Sequence, residues 1–543
     1  MLYFIPAWYQ QNTWFEQEQI WYRVRGHSEF DDTVKQIQLF HRKTKLPYRV
    51  LLLSYAPNLR HFLHRQSIFH APYWSCFDAI QEVERKNVRN LSYHDIVWPE
   101  DTEFYYTPFV IVAVLHGKKY AQVEFGEIGN PILVDIFRDD AVSVRNIYDD
   151  RGFVSSSVSY QDGAPYVQDF FTEDGAHKMR VYLQDGHVEM APERMQYRIE
   201  VDGQCEYVSF VKQEYVSLDE LLQEVFHTYI SKCTLPEDIF CEAMDSKHAD
   251  MMLQILPQNR TILSFFEERF PYDSPFLTSE LLDSAGYVVV DNHFHLQRLW
   301  ERVGSETGRM KDISPYDTRE DEGISQQLYV HKVMVPVDHL SNRMLHSVIQ
   351  RLGAYALNNR KVSVSLFTRR SEYGRKESVG QMVEKILVEC GLPVGLVREQ
   401  PMLVCENDTD EKESVRQCFF VEQCTSELDV SKCMREQRIL LDLDEEPELY
   451  LQVLAVSMGV PQICRVATEF LEPGKNGTLL KEPEQMEEML DYYLKSLRNW
   501  NRAHIASYEV GKQFSTDVLL QKWKEVISYF ERDSAFTDRS KEL

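Results

Sequence analysis

Between Val453 and Leu480 the chain reads VLAVSMGVPQICRVATEFLEPGKNGTLL. Gly459 can end a helix in the left-handed conformation, and Pro461 prevents the helix from continuing. Glycine backbones such as those near Asn476 and Gly477, set beside a helix N-terminus, can hold a pyrophosphate through their N–H groups. The same four residues can equally do no more than build the turn. A second group, Asp291, His293 and His295, follows the strand-like run YVVV. Asp and His just past the C-terminal end of a strand can act as acid–base or metal groups. No third ligand is identifiable, so the competing reading is a hydrogen-bonded contact between domains. Three basic islands complete the inventory: HRKTKLPYR with Arg42, Lys43, Lys45 and Arg49; NLRHFLHRQ; and TRRSEYGRK with Arg369 and Arg370. They can touch anionic headgroups, phosphate or an acidic partner, or form ordinary solvated faces.

The composition limits what these groups can serve. A formal net charge of -26 argues against a general nucleic-acid binder, which needs a basic footprint. With 543 residues the chain is too long for a single core, and 43% hydrophobic residues suffice to pack two or three domains. The opening MLYFIPAWYQQNTWF has neither a basic leader nor a small-residue cleavage site, and no run approaches the roughly 20 apolar residues of a membrane span. A soluble cytoplasmic chain is expected. The 10 cysteines, Cys405 among them, form no CxxC pair and no common zinc spacing, so reduced structural thiols and no metal are expected. The Asn-x-Thr triplets at Asn259, Asn407 and Asn476 then carry no glycan.

The elements that must position the candidates alternate in type. Residues 1–100 read as α/β: a first strand in MLYFIPAW, a helix-like run NTWFEQEQIWYRVR, a capped helix DDTVKQIQLFHR with Val34, Ile37 and Phe40 or Leu39 on one side, and a buried strand in YRVLLLSYAP. Over 101–215 the period falls to two, with turns at Asp150-Arg151-Gly152, Asp162-Gly163, Asp174-Gly175 and Asp185-Gly186. This is an antiparallel block, inserted into or laid over the first domain. Residues 216–315 return to α/β, beginning with a helix in SLDELLQEVFHTYI that opens on a capping box of Ser217 and Glu220. DISPYDTRED is the expected domain boundary. Residues 316–510 alternate strand and helix as a second doubly wound parallel sheet, and 511–543 form an amphipathic helix packing back towards the first domain.

This arrangement resembles the two-domain GT-B glycosyltransferases. The stretch LAVSMGVPQICRV...GKNGTLL is similar to their second-domain signature, in which a helix ends in Gly, a Pro-led strand follows, and a Gly-rich loop lies ahead of another helix. That family pairs a Glu with a second Glu eight positions on, which supports the donor sugar. Aligned on Gly459, the first is Glu446 and the second position holds Leu454. Leucine accepts no hydrogen bond, and a hydroxyl left unpaired on burial costs about 1–3 kcal/mol. The family's basic pair for the donor phosphates aligns with Asp338 and Arg343, so neutralisation is at best half present. The N-terminal loop, IPAWYQQNTW, lacks the glycines that such transferases place there.

Over essentially its full length, the chain resembles the first of the three accessory secretory proteins of the streptococcal and staphylococcal accessory Sec system. The resemblance implies a non-enzymatic GT-B protein without catalytic residues or cofactor. It implies work with two companion accessory secretory proteins and the motor ATPase, in export of serine-rich repeat glycoprotein adhesins. It also implies association with anionic phospholipid at the inner face of the membrane. Arg42, Lys43, Lys45, Arg49, Arg369 and Arg370 are the candidate lipid or partner contacts. The alternative function is an active GT-B glycosyltransferase using a UDP-sugar on a serine-rich protein.

Overall fold

The strand Leu2–Ile5 is buried at every position and seeds a sheet in both directions. In the computed structural model it pairs in parallel with Ile239–Ala243 on one side and Tyr48–Leu52 on the other. The structure describes all residues except 11, 17–29, 127–128, 202, 304–307, 319–322, 399–416, 481 and 540–543. Most of the helix-like run NTWFEQEQIWYRVR, together with Cys405 and Asn407, lies outside the described residues. The chain divides into two compact units, Met1–Val289 with Ser528–Leu543, and Val290–Ile527.

In the first unit the parallel sheet continues through Thr261–Phe265 beyond Ile239–Ala243, and through Tyr73–Ser75 beyond Tyr48–Leu52. The helix Asp32–Lys43 starts as its sequence requires: Asp31 accepts a 2.8 Å bond from the Val34 N–H. Val34, Ile37 and Phe40 are its buried face, so Phe40 rather than Leu39 points inward. The helix Leu218–Cys233 buries Leu221, Leu222, Val225, Phe226 and Tyr229. Its capping box is only half made. Ser217 accepts from the Glu220 N–H, but the Glu220 carboxylate accepts from Val216 N–H, beside the Lys212 ammonium, instead of from Ser217 N–H. The bond has moved one residue outward, to where the carboxylate also meets a cation.

Between Tyr73–Ser75 and Leu218–Cys233 the chain leaves the α/β layers and builds a ten-stranded antiparallel sheet. Its strands follow one another as neighbours from Glu103–Tyr106 to Val188–Met190, with Glu214–Tyr215 closing that far edge. The glycines at 152, 163, 175 and 186 have φ between 80 and 86°, where a side chain is disfavoured, and each sits in a turn expected from the sequence. The hairpin Gln196–Val201 with Gln204–Ser209 stands outside this sheet.

One turn of the inserted sheet is pinned to the α/β layers by buried charge. Arg60, in the helix Leu59–Arg65, donates to Asp150 at 2.5 Å and to Asp149 at 3.2 Å. Arg151 donates to Asp149 at 2.7 Å and, through both terminal nitrogens, to Asp78 in the helix Cys76–Ile80. Arg60, Asp149, Asp150 and Arg151 are all buried. Burial opposes ionisation of Asp149, but the two guanidinium groups outweigh it and hold its pKa below the usual carboxylate range.

The second unit carries a seven-stranded parallel sheet in the order Val397–Arg398, Phe419–Gln423, Val362–Thr368, His331–Pro336, Gln437–Asp442, Gln462–Cys464, Gly477–Leu479. The helices Glu427–Arg435, Met486–Leu494 and Leu497–Gly511 add to those expected from the sequence. The C-terminal helix Thr516–Arg539 buries Leu519, Leu520, Trp523, Val526, Ile527 and Phe530. Phe530 fits over Gly286, where a β-carbon would lie 2.4 Å from its ring, and its carbonyl accepts from Arg260 at 3.1 Å. The cysteines among the described residues form no disulfide.

Removing one member of a buried ion network leaves its partners uncompensated, at a cost of about 3–5 kcal/mol. Arg151→Ala is therefore expected to lower the unfolding free energy of the first unit by about that amount, measured by urea denaturation at neutral pH.

Candidate functional site

In the second unit the sheet grows from His331–Pro336 in opposite directions, towards Val362–Thr368 on one side and Gln437–Asp442 on the other. All its neighbours pair in parallel, so the loops that follow these strands leave one edge of the sheet. A reversal of strand order is where such sheets hold ligands. Asp338 follows the central strand, Arg369 and Arg370 follow Val362–Thr368, and Asp444 and Glu446 follow Gln437–Asp442.

The charges gathered there are already matched to one another. Asp338 accepts from the Thr368 hydroxyl at 2.5 Å, the Arg369 N–H at 2.7 Å and the Arg375 guanidinium at 3.0 Å. The Arg369 side chain pairs with Glu448 at 3.2 Å, and Arg370 donates to the Asp338 carbonyl at 3.0 Å. Arg343, the other half of the aligned pair, is exposed in the first turn of the helix Asn342–Asn358.

The acidic loop is held from beneath. Asp442 accepts from the Glu448 N–H and from the Gln452 side chain, both at 3.1 Å. Asp444 accepts from the N–H groups of Glu445 and Glu446. This turn directs Glu446 outward, where it accepts from Arg298 at 2.6 Å and meets the His295 ring at 3.4 Å. The other ring nitrogen of His295 lies 2.7 Å from Asp291, and the His293 N–H donates to Glu469 at 3.0 Å. Burial alone would lower the His295 pKa; the Asp291 and Glu446 carboxylates outweigh it and raise it to about 10. A pKa raised that far favours the imidazolium at neutral pH, the form that can donate to both carboxylates and that disfavours service as a base.

The signature stretch is built for architecture. The helix Leu449–Met458 is buried throughout, Leu454 included. Gly459 ends it at φ 69°, and a β-carbon there would lie 2.2 Å from the His504 ring. Pro461 offers its carbonyl to the Leu440 N–H. Gly477 sits in a strand, Gly477–Leu479, rather than in a loop ahead of a helix; the next α-helix begins at Met486. A β-carbon on Gly477 would lie 2.3 Å from the Gln462 carbonyl, so the residue is needed for close strand approach. Asn476 is buried and bonds Phe470 and Glu472 across its own loop.

The sequence treated Glu446 and the Asp291–His295 group as separate; the structure joins them. It also adds Arg298, which sequence reasoning missed, although it lies three residues past His295 on one helix, the spacing of side chains that share a face. The first basic island is divided. Arg42, Lys43 and Lys45 are exposed at and beyond the end of the helix Asp32–Lys43, whereas Arg49 is half-buried and donates to the Tyr229 hydroxyl at 3.1 Å. Among the described residues no His, Cys, Asp and Glu cluster could hold a metal ion, and no helix is long and apolar enough to cross a membrane.

The sequence family of accessory Sec system protein 1 matches residues 1–529. The member of that description from Streptococcus gordonii is 32% identical over 532 residues, covering 97% of this chain and 98% of that protein. A crystal structure of accessory secretory protein 1, 2 and 3 from Streptococcus pneumoniae includes a chain that is 29% identical, with a TM-score of 0.75 over 98% of this chain and all of that one. The pneumococcal O-GlcNAc transferase GtfA, in complex with UDP and GlcNAc, superposes with a TM-score of 0.67 at 11% identity, over 97% of this chain and 98% of that one. The last likeness identifies the fold as GT-B.

Burial pushes the Asp442 pKa up to about 6. Over the interval from about pH 4 to 6 the folded chain therefore keeps a proton that the unfolded chain has released. Its contribution to stability is present at low pH and is lost as the pH rises through about 6. Asp442→Asn keeps an acceptor for the Glu448 N–H and removes the titration. The stability difference between variant and wild type, read from urea midpoints, is expected to shift in the variant's favour by about 1 kcal/mol between about pH 5 and 7.

Proposed function

The chain belongs to the family of accessory Sec system protein 1, and on that premise we propose that it serves accessory secretion as a non-catalytic subunit with the shape of a transferase. The full-length match carries this reading. The strand-end charges support it. A nucleotide-sugar entering that crevice meets an aspartate where phosphate needs a cation, and the position aligned with the acceptor for its hydroxyl is a buried leucine. Glu446, the carboxylate that remains, is committed to Arg298 and His295.

The subunit acts by binding. Its partners on this reading are the two companion accessory secretory proteins, with the motor ATPase and the serine-rich repeat glycoprotein as further partners during export. The exposed basic group Arg42, Lys43 and Lys45 is the candidate contact with anionic phospholipid, at the inner face of the membrane. Arg49 takes less part because its guanidinium is held by Tyr229. Arg369 and Arg370 are held by Glu448 and Asp338, which leaves them weaker candidates for the same role.

Calorimetric titration with UDP-GlcNAc is expected to give no binding heat; heat that disappears in Glu446→Ala would establish the transferase reading instead. Flotation with liposomes containing anionic lipid is expected to fall when Arg42, Lys43 and Lys45 are all changed to Glu. Unchanged flotation would remove the lipid contact from this site.

A further inference from the structure

The two edges of the ten-stranded sheet are finished differently. At one, Glu214–Tyr215 is only two residues long, and the Tyr215 hydroxyl donates to Glu224 of the adjoining helix at 2.8 Å. At the other, Glu103–Tyr106 pairs with Val110–Leu115 on its inner side and has no strand on its outer side among the described residues. Natural edges are guarded by lysine, proline, bulges or a covering element, because unpaired N–H and C=O groups invite another strand. This strand contains no lysine or proline.

The edge is also rich in exposed aromatic surface. Tyr105, Tyr106 and Phe109 are 54%, 67% and 53% exposed. The strand that carries the two tyrosines is fixed from one face, where Phe104 packs edge-on against Tyr93 and Trp98 and the Tyr106 hydroxyl meets that of Tyr93 at 2.5 Å, and Phe109 lies in the turn that follows it. The aromatic side chains are thus presented on a firm support, with little ordering left to be done on binding. The outermost charge is acidic: Glu100, Asp101 and Glu103 are exposed, no Lys or Arg occurs from Val97 to Gly117, and Lys118 and Lys119 stand two strands further in.

We propose that Glu103–Tyr106 is a docking edge that accepts an extended strand of a companion protein, apolar where it passes Tyr105, Tyr106 and Phe109 and basic where it passes Glu100–Glu103. The inference rests on the reading that this chain assembles with companion secretory proteins, and it names the surface. Main-chain hydrogen bonds supply the strand pairing. The tyrosines and phenylalanine supply the apolar contact for which aromatic residues are favoured at interfaces. The acidic end sets the direction of the incoming strand.

The test uses the full chain and its co-expressed companions in a surface-binding assay. Tyr105→Lys combined with Phe109→Lys is expected to weaken association at least about tenfold, while the exposed positions leave the thermal midpoint unchanged. Glu100→Lys with Glu103→Lys is expected to weaken it and to flatten its salt dependence. Amide exchange across Glu103–Tyr106 is expected to slow in the complex. Association and exchange that survive the aromatic substitutions would overturn the docking edge alone. A wild-type chain that binds neither companion would overturn the assembly reading and the edge with it. A dimer of this chain that Tyr105→Lys dissolves would overturn the proposal in favour of self-pairing.

Discussion

Arg151 lies between Asp149 of its own turn and Asp78 of a helix seventy-three positions away, and Arg60 closes the same network from a second helix. The placing of the inserted sheet depends on this contact. An antiparallel meander has no intrinsic reason to sit at one angle to a parallel sheet, because apolar packing alone is not directional. Bidentate guanidinium–carboxylate pairs are directional, and burial makes any misalignment costly. The packing around the network, with Tyr55 against Phe77 and Phe170, supplies the burial that makes its geometry strict.

The second unit uses charge in the opposite sense. A donor held at the loops after the parallel strands would need free cations and hydrogen-bond acceptors there. Here Asp338 takes up the Thr368 hydroxyl and Arg375, Glu448 takes up Arg369, and Glu446 takes up Arg298 and His295. Each pair lowers the field available to a ligand, since a neutralised charge is a short-range dipole. The edge of the sheet remains, and its electrostatic content has been turned inward.

Much of the fold was legible because its signals are local. A glycine one or two places after an aspartate within alternating residues favours a turn, and the turns expected at Gly152, Gly163, Gly175 and Gly186 are present. Gly459 could be read as a left-handed cap, and Asp31 as the start of a helix, from a few neighbours each. The apolar stripe of the last helix was legible from its spacing. The site was less so. Arg298 and Glu446 are 148 positions apart, and nothing in the local pattern around either shows the other. Gly477 was legible as a constrained glycine but not as a strand residue, because its constraint is the Gln462 carbonyl of the neighbouring strand. The capping box failed for a related reason: the position of Lys212 relative to Glu220 is fixed by the turn before the helix.

These two kinds of residue also differ in what holds them in place. Gly459 and Gly477 answer to backbone conformation and to close neighbours that any chain with this sheet must have. A change at either strains the architecture whether or not a ligand ever binds. Leu454 answers only to the interior of a buried helix, where an apolar side chain is the stable choice and an acceptor has value only if a hydroxyl arrives to use it. Burial by itself favours leucine there, and pairing by itself favours a neutralised Glu446. Stability alone therefore retains the glycines, and by itself it gives no reason to keep an acceptor at position 454.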